Sequence, residues 1–113
     1  MIAHVVLFKP KPSLSADERD TLVAALEHAL TNIPLIKRAH VGRRITIGRP
    51  YENENAQQFP YAAILEFESE HALQEYLNHP AHQRLGEQFY YTSESALVLD
   101  FALIEGGKAR ELL

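Results

Sequence analysis

Residues 2–8, Ile-Ala-His-Val-Val-Leu-Phe, form a short apolar run that ends at Lys9-Pro10-Lys11-Pro12. This pattern predicts a strand over Ile2 to Phe8, because Pro10 and Pro12 cannot continue a ladder. Alternation puts Ile2, His4, Val6 and Phe8 on one face and Ala3, Val5 and Leu7 on the other. Both faces are mostly apolar, so the strand is expected to be buried on both sides.

The period then changes. Leu22, Leu26, Ala29 and Ile33 recur at helical spacing, flanked by Val23 and Leu30. Ser15 and Glu18 have the spacing of a capping box, and Asp17, Glu18 and Asp20 suit the positive end of a helix dipole. Pro34 stops the pattern, so a helix is predicted over residues 16–32. A second strand is predicted over Ile36 to Ile47, where Val41, Arg43, Ile45 and Ile47 alternate with Gly42, Arg44, Thr46 and Gly48. Residues 49–60 are polar, aperiodic and contain Pro50 and Pro60, which predicts a loop. Tyr61 to Glu68 alternates again, with Tyr61, Ala63, Leu65 and Phe67 opposite Ala62, Ile64, Glu66 and Glu68.

Ser69 caps a predicted helix carrying Ala72, Leu73, Tyr76 and Leu77. Pro80 breaks it and opens another helical segment over residues 80–91, with Leu85 and Phe89 inward. The last predicted strand runs from Ala96 to Ile104, with Ala96, Val98, Asp100 and Ala102 opposite Leu97, Leu99, Phe101 and Leu103. The domain is therefore expected over residues 1–104, with 105–113 as a tail.

The order β-α-β-β-α-(α)-β predicts an α+β, ferredoxin-like fold: a four-stranded antiparallel sheet with helices on one face. Such a sheet needs one apolar face, yet these strands are largely apolar on both. In so short a chain a second copy is the natural cover. The expectation is a homodimer whose sheets face each other as an α/β barrel, with the region between them a natural pocket.

Composition narrows the classes. The chain has 113 residues, 46% apolar and 23% charged, which suits one ordinary globular domain. Eleven basic against 15 acidic residues give a net charge of −4, a poor match to a nucleic-acid or anionic-membrane surface. No apolar run reaches the roughly 20 residues of a membrane span. The opening residues do not have the form of a signal peptide, and the absence of cysteine removes disulfides and thiolate metal sites. A cytoplasmic location is the expectation.

Three segments resemble the stress-responsive α/β-barrel (Dabb) domain family: Ile2-Ala-His4-Val-Val-Leu-Phe8-Lys9; Tyr61-Ala-Ala-Ile-Leu-Glu66-Phe67-Glu-Ser69; and Tyr76-Leu-Asn-His79-Pro80-Ala81-His82, followed by Asp100-Phe101. The resemblance spans residues 1–104 and implies a dimeric α+β barrel of ferredoxin-like subunits. Many members have no assigned activity. Plant relatives of the olivetolic acid cyclase type close a linear polyketide by aldol condensation, without metal or cofactor. In that subgroup a tyrosine at the place of Tyr76 and a histidine at the place of His82 carry the chemistry.

On these grounds Tyr76 and His82 are the candidate catalytic pair, His82 as base and Tyr76 as hydrogen-bond donor to a developing enolate. The pocket is expected between helices and sheet near them, with His4, Phe8, Glu66, His79 and Phe89 as candidate substrate-binding residues. Asp100 and Glu66 could hold a buried His4 in one tautomer. His79 and His82 invite a metal reading, but His79 precedes the first helical turn and no third ligand is evident, so neither metal nor cofactor is predicted. His79 could equally cap the turn. Arg43, Arg44 and Arg49 could receive an acidic group or protect a solvated edge. Tyr90 and Tyr91 could line a pocket mouth, whereas His28, His40 and His71 fall at polar positions. Two functions follow: a cofactor-free enzyme acting on a carbonyl-rich small molecule, or a non-catalytic dimeric domain that binds a ligand or serves a structural role under stress.

Overall fold

A computed structural model describes all 113 residues. Strand β1 (Ile2–Pro10) leads into helix α1 (Ala16–Asn32), β2 (Arg38–Arg43) and β3 (Tyr61–Phe67), then α2 (Glu70–Leu77), α3 (Pro80–Thr92) and β4 (Ser93–Ala102). Short 3-10 helices occupy Pro50–Asn53 and Gly106–Leu112. The sheet is four-stranded, antiparallel throughout, in the order β2-β3-β1-β4. This is the expected ferredoxin-like α+β fold. No helix is long and apolar enough to cross a membrane.

Local chemistry accounts for the element ends. At the start of α1, Ser15 Oγ accepts the Glu18 amide at 3.1 Å while the Glu18 carboxylate accepts the Ser15 amide at 3.1 Å. β2 is shorter than its alternation suggests, because its partner β3 begins at Tyr61, opposite Arg43. Past that point the Arg44 amide still donates to the Pro60 carbonyl, but the Ile47 amide turns to the Glu52 carboxylate at 2.8 Å, so the chain leaves the sheet. β1 runs on to Pro10 through a register shift beside β4. β4 starts earlier and ends earlier than the alternation indicated.

Register fixes two faces. Ile2, His4, Val6 and Phe8 share one face with Phe67, Leu65, Ala63 and Tyr61 of β3 and with Ala102, Asp100, Val98 and Ala96 of β4. All three helices cover this face, where Leu65 and Phe67 are the largest fully buried side chains. Leu22, Ala29, Ile33, Leu73, Tyr76, Ala81 and Leu85 pack onto them from the helices and the turn after α1. Each large apolar side chain buried there stabilises the fold by about 1.5–3 kcal/mol.

The opposite face carries Val5, Leu7, Ile64, Leu97, Leu99 and Phe101. No helix covers it: Ile64, Leu97, Leu99 and Phe101 are 40–48% exposed, and the 44–60 loop borders only the edge at Leu7 and Ala62. The two-sided apolar pattern of the strands thus becomes one packed face and one uncovered apolar face.

Candidate active site

The break between α2 and α3 builds the site. Ser69 caps α2, its Oγ accepting the Ala72 amide at 3.1 Å. The helix ends at Leu77, and Pro80 sits at the start of α3. His79 is the N-cap between them, its Nδ1 accepting the Ala81 amide at 3.0 Å. Ending α2 there leaves late carbonyls without intrahelical donors. His82, in the first turn of α3, supplies one: its Nδ1 lies 3.0 Å from the Leu77 carbonyl oxygen. A carbonyl only accepts, so Nδ1 carries the proton and Nε2 keeps its lone pair.

Tyr76 lies between two histidines. Its ring centroid is 4.7 Å from that of His82, edge-on, and 6.0 Å from that of His4. Phe67 backs it at 5.0 Å. Burial raises the Tyr76 phenol to a pKa of about 12, so it stays protonated and can donate. No protein group partners its hydroxyl, and no enclosed polar atom is left unpaired, so the hydroxyl opens onto free space.

His82 is held below the usual histidine value. Burial is the main cause; the neighbouring His4 adds to it, and the Leu77 carbonyl acts the other way. The neutral imidazole is therefore favoured at neutral pH. His4 is buried in the middle of β1, where Asp100 of β4 stands directly across the ladder. The Asp100 carboxylate accepts from His4 Nδ1 at 2.5 Å, which fixes that tautomer as well and leaves Nε2 as the unpartnered ring nitrogen.

The rings converge on a cavity of about 490 Å³ between the helices and the sheet. Val6, Leu65, Leu85 and Phe89 give it apolar walls, and Leu26 and Leu30 of α1 close the far side. The cavity is on the helix side of the sheet, not between two facing sheets. An apolar chamber with a few convergent polar groups is the usual form of a small-molecule site.

The remaining candidates fall elsewhere. Glu66 stands opposite Ala3, on the uncovered sheet face, because side chains alternate along β3. It reaches Arg38 at 3.8 Å and takes no part in holding His4, a task Asp100 performs alone. His79 is spent on the helix cap. With its Nδ1 so engaged it is no co-ligand for His82, and no group of three or more His, Asp or Glu side chains is arranged to hold a metal. Phe8 stacks edge-on against Phe89 at 4.8 Å and lies behind the cavity wall. Tyr90 lines the cavity; Tyr91 does not. Arg44 donates to the Glu52 carbonyl at 2.9 Å and belongs to the 44–60 loop. The Leu77 carbonyl was not among the sequence candidates. Its signal was Pro80, which obliges the preceding helix to end and frees its carbonyls.

Comparison with known proteins decides the family. The model of the Stress Responsive A/B Barrel Domain matches residues 2–103. The chain belongs to this family. It is 30% identical over 102 residues to the stress-response A/B barrel domain-containing protein HS1 of Arabidopsis thaliana, covering 88% of this chain and 87% of that protein. It is 21% identical over 100 residues to olivetolic acid cyclase of Cannabis sativa, covering 88% and 94%. Among solved structures, a hydroxynitrile lyase from Passiflora edulis superposes with a TM-score of 0.76 at 21% identity, over 92% of this chain and 94% of that one. A dimeric ferredoxin-like protein of unknown function from Thermobifida fusca superposes with a TM-score of 0.69 at 20% identity, over 90% of each chain. At these identities the structural likeness speaks for the fold. The proteins it resembles thus include enzymes beside one of unknown function.

Proposed function

We propose that this A/B barrel domain protein is a cytoplasmic homodimer that performs cofactor-free acid–base chemistry on a small carbonyl-rich substrate. The observation that carries the reading is the convergence of Tyr76, His82 and the Asp100–His4 pair on one apolar cavity. Neutral His82 takes a proton from a carbon flanked by carbonyls through Nε2. The electron pair moves onto a carbonyl oxygen, and the Tyr76 O–H donates a hydrogen bond to that enolate. The enolate carbon then attacks a second carbonyl carbon of the same molecule. One carbon–carbon bond forms, the displaced π pair becomes an alkoxide, and His82 returns the proton to it. No atom is lost and no outside oxidant or reductant is needed.

The likeness to olivetolic acid cyclase supports this direction, and the family resemblance implies that its reacting tyrosine and histidine fall at Tyr76 and His82. The homodimer is supported by the uncovered apolar sheet face and by the dimeric state of the Thermobifida fusca neighbour.

The test is a panel of poly-β-carbonyl and phenolic compounds, first by thermal shift and then by product analysis. Stabilising compounds are expected to be converted by the wild type. Tyr76→Phe is expected to lower turnover by about 10²–10³-fold, the usual loss for one oxyanion donor. Conversion that survives in both Tyr76→Phe and His82→Gln contradicts the mechanism. Binding without any conversion supports a ligand-binding domain instead.

A further inference from the structure

A second chamber adjoins the first. It has about 580 Å³ and lies at the end of the sheet where β1 leaves for α1. The two chambers share Leu26 and Phe89 as a common wall, with Phe8 behind Phe89 on the far side. Their electrical characters differ. The Tyr76–His82 chamber has no lysine or arginine in its lining. The second has Lys9, Lys11, Arg19 and Arg43 around an apolar floor, and no aspartate or glutamate.

That asymmetry runs against composition. The protein is acidic, with 15 carboxylate residues to 11 bases, yet four of the bases line one chamber without a carboxylate among them. Their partners are unequal. Lys9 is engaged with Glu94 at 3.1 Å. Lys11 stands near the Glu18 carboxylate, which stays charged while it accepts the Ser15 amide. Arg19 and Arg43 form no ion pair with any carboxylate. They come from α1 and β2 and both line this chamber, Arg43 also bordering the pocket of the 44–60 loop, so two guanidinium groups from separate elements offer unspent donors here. Like charges gathered over a low-dielectric floor focus their field on whatever enters. A planar guanidinium also matches a carboxylate in two parallel hydrogen bonds.

We infer that this second chamber is an anion site which reads the carboxylate end of an amphipathic ligand, with Arg19 and Arg43 as the specificity-determining residues. The ligand's apolar body lies over Leu26 and Phe89 and directs its far end toward Tyr76 and His82. Phe8 and His4 are four residues apart on one face of β1, which sets the span between the chambers at about 13 Å. The ligand class is therefore a medium-chain carboxylic acid, and for turnover one that carries its reactive carbonyls at the end remote from the carboxylate. The turnover half of this assignment rests on the acid–base reading above; the anion site does not.

Isothermal titration of the full chain with decanoate and with decanol separates the two. The wild type is expected to bind decanoate about tenfold more tightly than decanol at low salt, the gain of one good charge-assisted contact. Added salt narrows the gap. Arg19→Gln combined with Arg43→Gln brings the two affinities together. Both positions are exposed, and a circular dichroism spectrum like that of the wild type shows that the fold is kept. Equal affinities in the wild type, a preference for decanoate that survives the double variant, or no binding of either compound overturns the inference. A preference for decanoate in a protein that converts no β-carbonyl compound leaves the anion site in place and removes the acid–base reading.

Discussion

Burial favours the neutral form of both Tyr76 and His82: it pushes the phenol up and the imidazole down. A donor that keeps its proton and a base that has shed its own can thus stand side by side at neutral pH. The pH profile follows from these directions. The profile of kcat/KM is expected to be flat through neutrality and to fall only below about 6.5, the unperturbed histidine value. Tyr76 adds no alkaline limb below about 12. A limb centred above 7 that disappears in Tyr76→Phe contradicts this assignment. Stability follows the same proton. Unfolded His82 titrates near 6.5 and folded His82 lower, so between the two values the unfolded chain binds the proton that the native state refuses. This contribution makes the fold less stable as pH falls through that window, and His82→Gln removes it. Urea titrations at a series of pH values measure the slope.

The elements are legible in the sequence where local signals are strong. The α1 cap, the Pro80 break and the start of β3 at Tyr61 mark their own boundaries, and the structure follows them, whereas β1 runs two residues past its pattern to Pro10. β2 and β4 depart from their patterns because ladder partners decide where a strand ends, and partners are tertiary. Glu66 shows the same limit at the site. Its place in a mixed apolar run left its companions open, and the pairing with Ala3 turns it away from His4. His79 was open between ligand and cap; its bond to the Ala81 amide makes it a cap. His79→Ala is expected to cost about 1 kcal/mol, while His79→Asn, a good capping residue, keeps most of that stability. Chemical denaturation of the two variants checks this. A loss of turnover in His79→Asn with stability unchanged would assign His79 to the substrate instead.

At the scale of the molecule, one sheet serves two purposes. The helix face lines the candidate cavity, and the other face leaves Leu97, Leu99 and Phe101 uncovered, which the proposed homodimer would bury. Light scattering is expected to give twice the chain's 12.8 kDa, and Leu99→Lys, which places a charge on that face, is expected to give a monomer. A monomeric wild type contradicts the pairing. The claim that joins these scales is that His82 removes a proton from carbon with help from Tyr76, and it can be measured without knowing the natural substrate. An alkyl β-keto ester in deuterated buffer is followed by proton NMR, with the uncatalysed exchange subtracted. The wild-type protein is expected to accelerate loss of the α-proton signal, and His82→Gln and Tyr76→Phe each to lose most of that acceleration while remaining folded. Exchange no faster than in buffer alone, or acceleration that persists in both variants, contradicts the claim.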